Sequence, residues 1–492
     1  MNEIMVKEIS LDSRQAKPGD LFMAVRGLTV DGRDYIEQAI EKGVSAVLFE
    51  CDPETTQWQS LVGMKERGVP VIPVSHLRKI MGPIAGRFFD DPSRTVSVIG
   101  VTGTNGKTST THYIAQLLGF IQQKCGVIGT LGSGFLDNLN ETFCTTPDAI
   151  AVQRKLAEFK QVGTKTVAME VTSHALDQYR VEGVQFRTAV FTNLTRDHLD
   201  YHASFAEYGA AKQKLFLDFR PENSLINLDD EFGQTLAMNP LLRRADRKVI
   251  GYTINAHLNS IREKLDGLIV AETMVLDDNG IEAFLKTPWG EGSLRCCLLG
   301  HFNLSNVLAA LGAACLEGMP FTTVLEAVKS LKPVNGRMMR LGGQNALPLV
   351  VVDYAHTPDA LTQVLKAARI HCRGKLWCVF GCGGDRDRGK RPLMAAAVEE
   401  FCDHVTVTQD NPRTENPNQI LEDILLGFKQ PERVNVESDR RLAIHTTIQS
   451  AKPEDCIVVA GKGHEAYQII GNEKFPFSDA LEIQTALNRI SQ

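Results

Sequence analysis

Short apolar runs bounded by turn residues alternate along the chain with stretches whose apolar positions repeat at helical spacing. Before residue 92, the runs at 20–25, 46–49 and Val71–Val74 predict strands, and 35–42 predicts a helix. The segment closes on Asp90-Asp91-Pro92-Ser93, a polar break containing proline. A buried-strand run at 96–101 opens the next segment and leads into a glycine-rich loop. Beyond that loop Ile114, Leu117, Leu118 and Ile121 fall at i, i+3, i+4 and i+7, one apolar face of a helix. Strand-like runs recur at 166–169, 189–191 and 225–227 with helical stretches between, the alternation of a parallel α/β sheet. The texture then changes. Residues 268–276, the turn Asp277-Asp278-Asn279-Gly280 and residues 281–285 predict a hairpin on the side of the sheet.

A third αβ unit begins near residue 335. Its strands, 349–352, Leu376–Phe380, His404–Val407 and Cys456–Ala460, end in the loops DYAHTPD, GCGGDRDRGKR, TQDNPR and GKGHE. Ligands of open α/β sheets bind outside the carboxyl ends of the strands, so these four loops are expected to line one cleft. The expected fold is therefore α/β in three domains. Residues 1–92 form a small α/β domain, 93–334 a central P-loop ATPase-type parallel sheet with a β-rich side, and 335–492 a C-terminal Rossmann-like domain. The length of 492 residues agrees, being a little over three times the ~150 of a typical domain.

Composition narrows the class of partner. Hydrophobic residues make up 43% and charged residues 23%, which excludes disordered, collagen-like and coiled-coil chains. The longest apolar run, 307–316, has about half the ~20 residues needed to cross a bilayer, so no membrane span is expected. The opening MNEIMVKEIS lacks a basic stretch followed by an apolar one, so no secretory signal is expected either. A net charge of −6 argues against a nucleic-acid partner, and any anionic substrate must be held by local positive groups. The eleven cysteines contain no CxxC pair and are odd in number, neither a disulfide framework nor a zinc ribbon. Cys372, Cys378 and Cys382 lie close together, but Cys378 belongs to an apolar strand run and reads as a buried thiol.

The candidate chemistry sits at strand ends. Gly103-Thr104-Asn105-Gly106-Lys107-Thr108 follows a strand and opens a helix, the context of a phosphate cradle. Lys107 would neutralise the β/γ-phosphates and the Thr108 hydroxyl would meet magnesium. Val101 stands where the strict Walker pattern has glycine, and with no guanine-recognition motif the expected nucleotide is ATP. Glu170, just past a strand, is a candidate magnesium carboxylate. His198 and His202 are spaced i, i+4, which on a helix would share a face, but no third zinc ligand accompanies them. Lys212, in a helical stretch, reads from the residues alone as a solvated charge. Arg413 of Asp410-Asn411-Pro412-Arg413 can fork onto a carboxylate, the basic loop 384–391 carries four positive and two negative groups, and Glu465 could hold an amine. Groups of both signs around one cleft suit an amino acid.

These residues resemble a known family. GTNGKT, EVTSHAL, TRDHLDYH, GHFNLSN, NGRM, DYAHTPDAL, GCGGDRDRGKRPLM, DNPRTENP and GKGHE are similar, in content and order, to motifs of the ATP-dependent Mur ligases, in the branch that adds meso-diaminopimelate. The resemblance implies that 1–92 holds the UDP end of UDP-MurNAc-L-Ala-D-Glu through Leu11, Ser13 and Leu28-Thr29-Val30. It implies that Thr145, Thr146, Thr172, Gln178 and Arg180 hold the dipeptide part, with Cys144 where relatives often have Asn. Gly103 to Ser109 (Gly103, Thr104, Asn105, Gly106, Lys107, Thr108, Ser109), Asn303, Asn306, Arg337 and Asp353 would bind ATP. Lys212 matches the family's carbamylated lysine, which with His198 would ligate one magnesium, while Glu170 and Thr108 serve another. Arg386, Asp410, Asn411, Pro412, Arg413, Gly461 and Glu465 match the diaminopimelate pocket.

The activity implied is ATP-dependent amide formation through an acyl phosphate, in cytoplasmic peptidoglycan precursor synthesis, by a monomer whose partners are small molecules. Three rivals define what must be distinguished: a lysine-adding Mur enzyme, a folylpolyglutamate-type ligase, and a P-loop ATP-binding regulator without ligase chemistry.

Overall fold

The computed structural model describes every residue except 1–3, 28–29, 52–67, 143, 258–262, 278–279, 345 and 491–492. Leu28, Thr29 and the turn residues Asp278 and Asn279 therefore lie outside the described residues. Three main sheets organise the rest. The first is parallel and runs in chain order, Ile9–Ser10, Leu21–Ala24, Ala46–Glu50 and Val71–Val74. Ile9 and Met23 of this sheet, with Leu77 and Met81 of the helix Leu77–Phe88, share one apolar cluster with Ala149 and Ile150 of the helix Ala149–Gln161.

The central sheet has eleven strands. Its parallel heart runs Gly267–Asp277, Lys248–Thr253, Asn223–Asn227, Phe186–Phe191, Ser97–Thr102, Thr166–Glu170 and Cys125–Gly129. Antiparallel strands continue it at both edges: Gly280–Thr287 and Gly290–Cys296 at one, Gly132–Phe135 and Asn138–Asn140 at the other. The hairpin expected beside the sheet is thus the sheet's own edge, with a third strand added. The reason is visible in Gly267–Asp277 itself, whose first half, Leu268 to Ala271, is buried in the core while its second half projects outward.

Two hydrophobic cores cover the two faces, the doubly wound arrangement of α/β sheets. On one face the helices Lys107–Phe120 and His301–Leu316 pack together, burying Tyr113, Ile114, Leu117 and Leu118 against Leu304, Val307, Leu308 and Leu311. The ten-residue apolar run is therefore a helix buried nearly all round, not a membrane segment. No helix among the described residues is long and apolar enough to cross a membrane. Ile121 does not join the buried face, because the helix ends at Phe120 and leaves it half exposed.

The third sheet runs Met339–Gly342, Leu349–Asp353, Cys456–Ala460, Leu376–Phe380, His404–Val407 and Asn435–Val436, with only the first strand antiparallel. A small hairpin, Tyr467–Ile470 with Glu473–Pro476, follows it and is invisible in the sequence pattern. Under this sheet lies a wholly buried ion pair, Arg440 Nε and Nη2 on the two oxygens of Asp479 at 2.7 and 2.8 Å. The same guanidinium donates to the carbonyls of Ala460 and Gln409, the residues that precede GKGHE and DNPR. Arg440→Met would strand a buried carboxylate and should lower the stability of this unit by about 3–5 kcal/mol. Differential scanning calorimetry checks this, and an unchanged first transition would contradict the assigned role.

Candidate active site

The strand Ser97–Thr102 delivers the chain into the glycine loop, and the helix Lys107–Phe120 carries it away. Gly103 and Gly106 have φ of 150° and 85°, and a Cβ on either would strike Thr192 or Asn306. Only glycine fits there. Lys107 folds back over the loop, donating to the carbonyls of Gly103 at 2.9 Å and Thr104 at 2.7 Å. Burial lowers its pKa, against the pull of Glu170 and Asp197. Asn105 is held by Asn193 Oδ1 through its backbone N–H, and Thr104 by Tyr208 and Thr195. Ser109 is buried in the first turn of the helix.

Glu170 is the last residue of its strand rather than a surface group, and its side chain has no exposure. It accepts from the Thr108 hydroxyl at 3.0 Å, the Thr130 N–H at 2.7 Å and the Thr130 hydroxyl at 3.1 Å. Thr130 in turn meets the Thr145 hydroxyl at 3.1 Å. Residue-level reading missed Thr130 because glycine and cysteine in Cys125–Gly129 obscured the strand that presents it.

His198 and His202 do not share a helix. Residues 195–204 are irregular, His198 has φ of 55°, and the next helix begins at Phe205. His202 Nε2 meets Ser173 Oγ at 3.0 Å, while the rings of His198 and His202 both pack against His174. Burial lowers the pKa of all three imidazoles, so they are neutral nitrogen donors near pH 7. Asp197 lies 3.4 Å from His198 Nε2 and 3.9 Å from Nε2 of His356, which belongs to the DYAHTPD loop.

Lys212 is not a solvated charge. It is 1% exposed, donates to the Gly103 carbonyl at 2.8 Å, and sits over the Tyr208 ring. Desolvation first, and then the neighbouring Lys107, drive its pKa well below that of a free lysine.

The third sheet's loops close on this centre. Arg337 reaches Thr108 Oγ1 at 3.4 Å and stacks on Tyr354. Asp353 accepts from the N–H groups of Met338 and Ala355, both at 2.7 Å, and so braces the chain around Arg337. Asp359 meets Asn105 at 3.3 Å, and Asp387 meets Arg196 at 3.8 Å. Asn306 lies against Gly106, and Asn303 is buried between the Tyr113 hydroxyl and the Leu299 carbonyl.

Beyond them Arg386 and Arg413 flank Gly383, with Arg413 Nη1 on the Gly384 carbonyl at 2.7 Å. Asp410, Asn411, Pro412 and Gly461 form buried walls, and Glu465 projects between. Backbone bonds of Arg413 to Ile469 and Gly471 lash this loop to the small hairpin. Much of the basic loop is structural. Arg391 is buried on Glu415 and Asp423, Arg388 pairs with Glu415, and Arg386 remains exposed.

On the opposite side Thr146, Thr172, Gln178 and Arg180 are bonded into one cluster. Arg180 donates to the Thr146 carbonyl at 2.9 Å and to Gln178 Oε1 at 2.7 Å, and Cys144 Sγ lies 3.6 Å from its Nη1. Leu11 and Ser13 lie in the turn after Ile9–Ser10, Ser13 donating to Gln38 Oε1, and Val30 is exposed.

The donors suit magnesium. Glu170 is a buried carboxylate beside a hydroxyl, bonded only to hydroxyls and an N–H. No three acidic, histidine or cysteine side chains converge as a metal cluster among the described residues. An ion here would complete its shell with water and phosphate oxygens, as magnesium characteristically does. The three clustered cysteines form no such group either.

A strand, glycine loop and helix in contact with loops of a second α/β sheet that carry arginines and a glutamate suit an ATP-dependent acid–amino-acid ligase. Family profiles agree. Residues 5–89 match the Mur ligase family catalytic domain, 101–314 the Mur ligase middle domain, and 336–463 the Mur ligase glutamate ligase domain. The chain belongs to the Mur ligase family, whose members use ATP to form amide bonds. It is 48% identical to the UDP-N-acetylmuramoyl-L-alanyl-D-glutamate--2,6-diaminopimelate ligase of Ectopseudomonas mendocina, over 98% of this chain and 95% of that one. The protein of the same name from Coxiella burnetii is 45% identical over 99% and 96%. A solved structure with that name superposes at a TM-score of 0.69 and 35% identity, covering 99% of this chain and 96% of the other.

Lys107→Ala should lower ATP-dependent amide formation by about 10²–10³-fold, because it removes a preorganised positive group from the phosphate loop. Steady-state phosphate release measures this, with circular dichroism reporting the fold. Near-normal turnover would refute the loop assignment.

Proposed function

We propose that this enzyme joins meso-diaminopimelate to the D-glutamate of UDP-MurNAc-L-Ala-D-Glu, with ATP converted to ADP and phosphate, in cytoplasmic peptidoglycan precursor synthesis. The observation that carries the reading is the contact of the glycine loop with the third sheet, Arg337 on Thr108 and Asp359 on Asn105, together with relatives of that name aligned over nearly the whole chain. The division into 1–92 for the UDP end, 93–334 for ATP and 335–492 for the amino acid follows from it.

The D-glutamyl γ-carboxylate attacks the γ-phosphorus of ATP, forming an acyl phosphate as ADP leaves. The diaminopimelate amine then attacks the acyl carbon, and phosphate leaves through a tetrahedral intermediate. Lys107 meets the charge that builds on the transferring phosphoryl group, and Arg337 approaches the same hydroxyl, Thr108, from the other sheet. The Thr146–Arg180 cluster supports a seat for the dipeptide, and Glu465 with Arg413 supports one for the acceptor's charges. Magnesium, held by Thr108 and Glu170 and by His198 and a carbamate on Lys212, would neutralise phosphate charge. The contacts from Asp359, His356 and Asp387 to the central loops keep the amino-acid pocket against the acyl site and limit water, which would otherwise hydrolyse the acyl phosphate.

The Lys212 carbamate has local support. The Lys107 and Lys212 amines share the Gly103 carbonyl, and two ammonium groups buried on one acceptor repel. Both effects push the Lys212 amine toward its neutral, nucleophilic form, and addition of that amine to CO2 yields a carbamate and a proton. Lys212→Ala should be almost inactive, and added short carboxylates should restore part of the rate. Wild-type activity in the Ala variant would reduce Lys212 to a packing residue.

Mass analysis of products from UDP-MurNAc-L-Ala-D-Glu, ATP and a panel of diamino acids tests the reaction itself. A product with lysine but not diaminopimelate, or ATP turnover independent of any amino acid, would reject it. Arg413→Ala should raise the KM for diaminopimelate by orders of magnitude, because the distal carboxylate loses a charge-assisted pair worth about 2–5 kcal/mol. Lysine lacks that carboxylate and should suffer little, so the kcat/KM preference narrows. An unchanged preference ratio would move the assignment to Arg386.

A further inference from the structure

Behind Glu465 lies a lysine with no exposure at all. Lys462 donates to Asn411 Oδ1 and to Glu465 Oε2, both at 2.9 Å. Asn411 closes the triangle, its Nδ2 donating to Glu465 Oε2 at 2.8 Å. The Asn411 oxygen also accepts from the backbone N–H of Ile469 at 2.9 Å. Lys462 and the Ile469 N–H can only donate, so the amide cannot turn over without facing donor to donor.

The consequence is a defined pair of free groups. Among the described residues Glu465 has Oε2 committed twice and Oε1 without a hydrogen-bond partner, and Asn411 has one amide N–H open. One acceptor beside one donor, with two arginines nearby, matches an ammonium and a carboxylate on the same carbon. The Lys462 ammonium sits inside the triangle and over the Tyr467 ring, out of reach of any ligand in the pocket.

We infer that Lys462 is the positioning residue for acceptor recognition: a buried cation that never touches the amino acid but sets which atoms of Asn411 and Glu465 read its ammonium and carboxylate. This rests on the amino-acid pocket proposed above. Without the cation, Asn411 is free to rotate, and Glu465 loses the partner that fixes its carboxylate.

Lys462→Met keeps the length of the chain and removes the charge. The KM for diaminopimelate should rise about 30-fold or more, the scale set by breaking a buried charge pair. The KM for ATP and for the UDP-dipeptide should stay within about threefold, as for sites that do not share partners. Glu465→Gln should raise the diaminopimelate KM by itself, and the double variant should be no worse than the poorer single one, since both remove the same interaction. An equal rise in all three KM values, a fall in kcat with the diaminopimelate KM unchanged, or additive effects in the double variant would overturn the inference. If Glu465→Gln raises the KM and Lys462→Met does not, this inference fails and the pocket stands. If Glu465→Gln leaves the KM untouched, the pocket itself is misplaced. Should Lys462→Met not fold, Lys462→Arg carries the same test, because its fork keeps the charge but not both single contacts, and the same selective rise is expected.

Discussion

Two buried amines on one carbonyl set the character of the catalytic centre. Lys107 and Lys212 both donate to the Gly103 carbonyl, from two helices that meet only in the folded chain. Burial penalises each ammonium, and their proximity penalises holding both charges. Glu170 and Asp197 favour the charge on Lys107, whereas Lys212 has Asp197 alone against desolvation and a cationic neighbour. The outcome is an asymmetric pair, Lys107 with two carboxylates favouring its charge and Lys212 with one, and that asymmetry supports the phosphate and carbamate roles proposed for them.

The same economy of charge governs the third sheet. Its strands are apolar, and its loops carry many cations, yet most of those cations are not free. Arg440 is spent on Asp479, Arg391 on Glu415 and Asp423, and Lys462 on Asn411 and Glu465. These buried pairs hold the backbone of DNPR and GKGHE and the walls of the pocket. Arg386 and Arg413 are what remain at the mouth. The amino-acid pocket proposed for these loops would need that restraint, because mobile neighbouring cations would compete for the acceptor's carboxylates.

Much was legible without coordinates. Strand runs such as Leu376–Phe380 and Cys456–Ala460 are apolar because a parallel sheet buries both faces, and the polar loop after each is where the sheet ends. The glycine loop declared itself by its place between strand and helix, where Gly103 and Gly106 take backbone angles and close approaches that only glycine allows. Strands with weak local signals escaped: Cys125–Gly129 is rich in glycine, and Tyr467–Ile470 is a short, half-exposed hairpin arm.

The residues alone could not separate Lys212 from any other helical lysine, nor Arg386 from Arg391. Those distinctions depend on what approaches from distant parts of the chain: Gly103 over Lys212, Glu415 and Asp423 over Arg391, Asn411 over Lys462. The sequence by itself determined the α/β alternation, the strand–glycine-loop–helix unit and the family, because each is written in local periodicity and contiguous motifs. Only the tertiary structure decided which charges are buried, paired or free, because desolvation and pairing are properties of the space between elements.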